Sequence, residues 1–301
     1  MNYLFTNVLG SFVLDDKLNI LDFILFKNRE EYDHKEKTEE KLAKKHNTKP
    51  LPEDKLHQTL LLFKDSKYFP QFYQQNLELT KEALRHSVNE DNLIIQAICS
   101  VNELDKISNM MAKRLREWYS LYYPELSEEI TNHEKYAELI LSQSRAAGTM
   151  GADLEEAHVD EMKLVAEKVI SLYQLRKQHE LYLQKIMKGY CPNLLELAGT
   201  TIAARLIELG KGLKHMAMLP ASTIQLLGAE KALFRHIKTG SKSPKYGVII
   251  NHPLIQNAKR DDKGKAARIL ADKLSLCARL DYFKGEFKAP QYLKELEEKL
   301  R

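Results

Sequence analysis

The sequence predicts a mainly α protein with a small α/β N-terminal module, a central coiled-coil arm and a helical C-terminal domain. Three observations carry this. Glycine (12) and proline (9) are scarce for 301 residues, too few for the turns of a long all-β chain. Long stretches repeat apolar residues at steps of three and four. Only residues 1 to about 30 read as strands. The expected boundaries are 1–75, 76–189 and 190–301.

In the first segment, Tyr3–Phe5 and Ser11–Leu14 flank a break at Gly10, Asp15-Asp16 turns the chain, and Ile20–Phe26 follows as an apolar strand. Residues 28–49 are charged without a clean apolar period, which predicts a mobile helix or a loop. Pro50 and Pro52 interrupt the chain before short helices around 56–63 and 72–79.

From Glu82 to Tyr119 the spacing of Leu93, Ile94, Ala97, Ile98, Val101, Leu104, Ile107 and Met111 predicts a helix, stopped at Tyr123-Pro124. Two more helices are expected, at 132–147 and 153–188, separated by Gly148-Thr149-Met150-Gly151. In the second, Met162, Val165, Val169, Leu172, Arg176, His179, Leu183 and Ile186 make an a/d seam with a polar middle. Paired with its predecessor it would form a projecting antiparallel arm; an ordinary helical bundle fits the same pattern. Met162, Val165, Val169 and Leu172 are the expected dimerisation positions if the seam faces a second chain. The C-terminal region is helical again, with 194–209, 266–282 and a charged tail at 291–301.

Charged residues at 29% and hydrophobic ones at 44% exclude a disordered chain. No apolar run reaches the roughly 18 residues of a membrane span, and the N-terminus lacks signal-peptide features. A soluble intracellular protein is expected. Cys99, Cys191 and Cys277 are scattered, which excludes a disulfide framework or a zinc site. No phosphate-binding loop, metalloprotease, hydrolase or kinase motif occurs. A non-enzyme without a cofactor or metal of its own is expected.

The net charge of +4 is unevenly spread. Gly228–Lys288 holds 14 Lys/Arg against 6 Asp/Glu, so the rest of the chain is net acidic. Such a segment faces an anionic partner. Within it, Gly228 precedes a helix start, whose free N–H groups and dipole favour an anion. Lys231, Arg235 and Lys238 follow at i, i+4 and i+7, and Lys242 and Lys245 lie on the adjoining loop. Phe234, His236, Tyr246 and His252 are near enough for base stacking. A solvated basic face explains the periodicity equally well.

Particular motifs carry a resemblance. Gly228-Ala229-Glu230-Lys231 followed by Ala232-Leu233-Phe234-Arg235 resembles the signature of the Nop domain. Pro220-Ala221-Ser222-Thr223, Pro244-Lys245-Tyr246-Gly247 and Gly264-Lys265-Ala266-Ala267-Arg268 resemble it too, as do Leu115–Tyr119 and Tyr123–Leu126 upstream. The resemblance spans about 85–288 in matching order.

The resemblance implies a scaffold of box C/D ribonucleoproteins, which guide ribose 2′-O-methylation of RNA. The N-terminal module would dock fibrillarin, the methyltransferase that binds S-adenosylmethionine. The coiled coil would pair two copies. The C-terminal domain would grip a kink-turn of the guide RNA together with its ribosomal-type binding protein. Gly228, Ala229 and Glu230 would meet the partner protein. Lys231, Arg235, His236, Lys238, Lys242, Lys245, Asn251 and His252 would meet RNA. Nucleolar relatives end in a long Lys/Glu-rich tail, and the stop at Arg301 implies an archaeal member working in the cytoplasm; a eukaryotic one would be nucleolar. The spliceosomal branch is an alternative. It lacks Ala-Leu-Phe-Arg and commonly has His where Asn251 stands, so the adjacent His252 is the substitute for stacking. A coiled-coil interaction module that binds no RNA is the other alternative.

Overall fold

The computed structural model describes residues 1–301 except Asn28, Ser66 and Arg301. The first residue of the 28–49 segment and the last of the 291–301 tail therefore lie outside the described residues. The chain divides into two compact units, Met1–Val88 and Asn89–Arg301.

The first unit holds β1 (Tyr3–Asn7), β2 (Gly10–Leu14), β3 (Ile20–Leu25), α1 (Arg29–Asp33), α2 (Glu36–His46), β4 (Lys49–Pro50), α3 (Glu53–Leu62) and α4 (Phe69–Arg85). The sheet order is β3-β2-β1-β4; β1 pairs antiparallel with β2 and parallel with β4. Every residue of the central strand β2 is buried. Phe12 anchors the core, packing edge-on against Phe63 at 4.8 Å between ring centroids. Three expectations change here. The 28–49 segment forms two helices, with Leu42 as the buried anchor of α2. Pro50 ends a two-residue edge strand, a position that tolerates its missing N–H. α4 also runs to Arg85, so the helix expected from Glu82 begins only at Glu90.

The second unit starts with α5 (Glu90–Tyr119), α6 (Pro124–Glu129), α7 (His133–Ser142) and α8 (Glu156–Tyr190). Asn89 starts α5 through a reciprocal capping box with Asn92. The expected 153–188 helix is α8, but its main partner along the arm is α5, and the shorter α7 packs beside them over the outer part only. Near its base, Ile94, Ile98 and Val101 of α5 share a cluster with Leu183 and Met187 of α8. Farther out, Ala112, Leu115 and Tyr119 meet Met162, Ala166 and Val169. The start of one helix thus faces the end of the other, so they run antiparallel. Between the two clusters Arg176 hydrogen-bonds Asp105 and pairs with Glu180 at 2.9 Å. This polar layer sets the register of the pair.

The expected helix at 132–147 stops at Ser142. The segment that follows is clasped: Glu125 accepts from the Thr149 hydroxyl and the Met150 N–H, and Arg145 stacks on Tyr122 at 4.7 Å.

Beyond the arm come α9 (Pro192–Ala198), α10 (Thr200–Leu209), α11 (Leu213–Met218), α12 (Ala221–Leu226), α13 (Glu230–Thr239), a 3-10 turn (Val248–Asn251), α14 (Pro253–Gln256), α15 (Lys263–Tyr282) and α16 (Ala289–Leu300). The expected 194–209 helix is two helices, broken at Gly199, whose φ of +75° disfavours a side chain. α15 is the buried axis of this region, with Ala266, Leu270, Leu274, Cys277 and Ala278 fully covered. Cys277 and Cys191 are small buried hydrophobes; burial pushes the Cys277 thiol up to about 12 and the Cys191 thiol higher still.

Candidate nucleic-acid interface

The cationic segment is presented by a braced turn. The Gly247 N–H donates to Gln225 O at 2.8 Å, and the Val248 N–H to Leu227 O at 2.8 Å. The Gln225 side-chain amide donates to Lys245 O at 2.6 Å. A Cβ on Gly247 would lie 1.9 Å from Leu227 O, so only glycine lets the two chain segments approach. The turn then passes through Gly228, at φ +86°, into α13.

α13 contains no buried residue. Helical geometry puts Lys231, Arg235 and Lys238 on one stripe. Phe234 and Ile237 run beside it, 67% and 71% exposed. Lys242 and Lys245 are also accessible beyond the Gly240 C-cap. Among the described residues none of these five cations has a carboxylate partner. The result is a projecting helix with a cationic stripe and an exposed apolar one. Phosphates satisfy the first, and stacked bases or a protein surface the second.

Glu230 acts within its own turn. Its carboxylate accepts the Gly228 N–H at 2.7 Å, in the first turn of α13, where negative charge is favoured. Gly228 is exposed and Ala229 half-buried beside it. His236 is half-buried, and its Nδ1 lies within hydrogen-bond reach of Ser241 O. Asn251 is exposed and lines a separate open cavity of about 570 Å³ with Asn102, Thr200, Thr201 and Arg205.

Two groups of expected residues are displaced. His252 is buried, not stacked in the open. Its Nε2–H donates to Leu197 O at 2.9 Å, and its Nδ1 accepts the Leu254 N–H that opens α14. Burial holds its pKa below the usual histidine value. The ring is a neutral structural brace.

The expected dimerisation seam is also internal. Met162 and Val169 are fully buried, and Val165 packs half-buried against the same arm cluster built from α5, α7 and α8. Leu172 is half-buried on the same helix. The seam is used up within one chain because α5, not a second molecule, supplies the other half. What the heptad pattern passed over is the outer face of α8, where Leu164, Leu175 and Tyr182 stay exposed. Their helical spacing is the signal that would have found it.

Among the described residues no group of three His, Cys, Asp or Glu side chains is placed to hold a metal ion. No described helix is long and apolar enough to cross a membrane.

The Nop family, described as "snoRNA binding domain, fibrillarin", matches residues 100–146 and 140–301. An uncharacterised NOP5 family protein of Methanocaldococcus jannaschii is 42% identical over 248 residues, which is 74% of this chain and 60% of that one. Nucleolar protein 56 of Schizosaccharomyces pombe is 38% identical over 68% of this chain and 47% of its own length. Nucleolar protein 58 of Sclerotinia sclerotiorum is 37% identical over 67% and 40% respectively. The chain thus spans between two fifths and three fifths of these relatives. A chain from the crystal structure of a fibrillarin/Nop5p complex is similar over 99% of this chain, with a TM-score of 0.47 and 24% identity. With the family match covering most of the arm and everything after it, the chain belongs to the Nop family.

Proposed function

We propose that this protein is a non-catalytic scaffold of a box C/D ribonucleoprotein that guides 2′-O-methylation of RNA. The observation that carries the reading is α13. It is a helix with no fully buried residue, whose cations have no acidic partner among the described residues and whose Phe234 and Ile237 face outward. A free helix of this kind needs both an anion and an apolar surface, which a kink-turn RNA already held by its binding protein supplies together. The first unit, Met1–Val88, would dock fibrillarin, and S-adenosylmethionine would be bound by that enzyme. Self-pairing would use the outer face of α8, at Leu164, Leu175 and Tyr182, because the inner seam is occupied. In an archaeal cell the particle would be cytoplasmic, in a eukaryotic one nucleolar.

Reconstitution tests the reading. The chain is mixed with fibrillarin, kink-turn-binding protein and box C/D RNA, each component is omitted in turn, and guided methylation is assayed. Methylation should require this chain and fail with the chain alone. Guided methylation that proceeds without the chain would overturn the scaffold role.

A further inference from the structure

A second cationic surface lies at the base of the arm, apart from α13. It is an open groove of about 740 Å³ whose apolar lining comes from Leu181 of α8, Pro192 and Leu195 of α9, and Phe287. Leu181 is 66% exposed and Phe287 56% exposed, so the groove presents apolar surface that the chain leaves uncovered. Lys185 and Lys188 line it and have no carboxylate partner among the described residues. Lys284 sits over the ring of Tyr190, 5.3 Å from its centroid, at the end of the same helix. Glu196 is the opposing carboxylate of the lining, while Glu286 is paired with Lys288 at 3.0 Å. The net sign is positive.

We infer that this groove takes unpaired nucleotides of the RNA held by the scaffold. The inference rests on the scaffold reading above, which favours RNA over an acidic peptide as the polyanion that meets this chain. An aromatic ring beside unpaired ammonium groups matches what single-stranded RNA offers: a base stacks on Phe287 within the apolar lining, and flanking phosphates meet Lys185 and Lys188. Stacking on phenylalanine is indifferent to base identity, so the groove follows the strand without reading its sequence.

The test uses the full chain and a hexamer of 4-thiouridine RNA. Irradiation should cross-link the hexamer within the segment between Lys284 and Lys288. Phe287→Ala should lower hexamer affinity at the groove roughly tenfold. Lys185→Ala with Lys188→Ala should weaken it and flatten the salt dependence of log affinity by about 1.4, at about 0.7 per phosphate on a single strand. Removing the α13 charges (Lys231→Ala, Arg235→Ala, Lys238→Ala) should leave this cross-link in place while abolishing capture of the kink-turn RNA with its protein. All these side chains are accessible, and circular dichroism of each variant should match the parent. No cross-link near Phe287, an unchanged salt slope in the lysine variant, or competition by oligoglutamate but not by oligouridylate would overturn the assignment. Failure of the α13 variant to lose the kink-turn complex would instead count against the scaffold reading.

Discussion

Asn193 and Asp281 form a buried polar pair that ties the start of α9 to the end of α15. Asp281 Oδ1 accepts the Asn193 side-chain amide at 2.9 Å and its backbone N–H at 3.0 Å, while Oδ2 accepts the Leu194 N–H at 2.8 Å. Asn193 Oδ1 in turn accepts the N–H groups of Lys288 and Ala289, at 2.7 and 3.1 Å, where α16 begins. One amide and one carboxylate thus satisfy orphan donors at two helix starts. Burial still leaves the Asp281 carboxyl above the usual aspartate range. Asn193→Ala strands several buried donors and acceptors and should destabilise the second unit by about 2–4 kcal/mol, read by denaturant unfolding. A change below about 0.5 kcal/mol would contradict this role.

His252 makes stability depend on pH. Its folded pKa is lowered by burial, so the unfolded chain takes up a proton at higher pH than the folded one. Its contribution is complete above the ordinary histidine value of 6.5 and is lost as pH falls from there through the folded value. Denaturant midpoints should drop between neutral pH and mild acid, and His252→Gln, which keeps a donor for Leu197 O, should remove that part of the drop. An identical pH profile in the variant would refute it.

Arg235→Ala should weaken capture of the RNA–protein composite and leave fibrillarin binding untouched. If the five cations of 231–245 each neutralise one phosphate, log affinity should fall with log salt at a slope of about −3.5 to −4.5, and each substitution should flatten it by about 0.7–0.9. Titrations at several salt concentrations check this; a slope near zero would leave these side chains as ordinary solvated charges.

Gly247→Ala and Gly240→Ala should differ sharply. At Gly247 the new Cβ meets the Leu227 carbonyl, which cannot yield without breaking the turn that presents α13. At Gly240 nothing lies within 4 Å, and only the left-handed φ of +67° opposes the change. The second substitution should cost about 1 kcal/mol and spare RNA assembly, whereas the first should impair both. Melting curves and gel-shift assembly distinguish them.

On the arm, Val169→Asp should unfold the α5–α8 packing, since it puts a charge into a fully covered site. Leu175→Glu, on the exposed face, should leave helicity intact and weaken self-association, seen as a shift toward monomer in sedimentation. A dimer unaffected by Leu175→Glu would place pairing elsewhere.

Much of the architecture was legible in the chain itself. Apolar spacing and the Gly/Pro count indicate a helical protein after three strands. The α8 seam and the Lys231–Arg235–Lys238 stripe are visible at helical period because local geometry alone puts such residues on one face. Burial and pairing are not local. Whether the seam containing Val169 meets a second chain or the distant α5 depends on which surface the fold brings to it, and the tertiary structure decides for α5. His252 and Asn251 are neighbours in sequence with equal claims to the surface; the 3-10 turn points one inward to Leu197 and leaves the other out. Position 193 lies just before the expected 194–209 helix, and its role emerges only when the fold brings Asp281 to it from 88 residues away. Periodicity is a property of one helix, but a buried donor is satisfied only by whatever the fold carries to it.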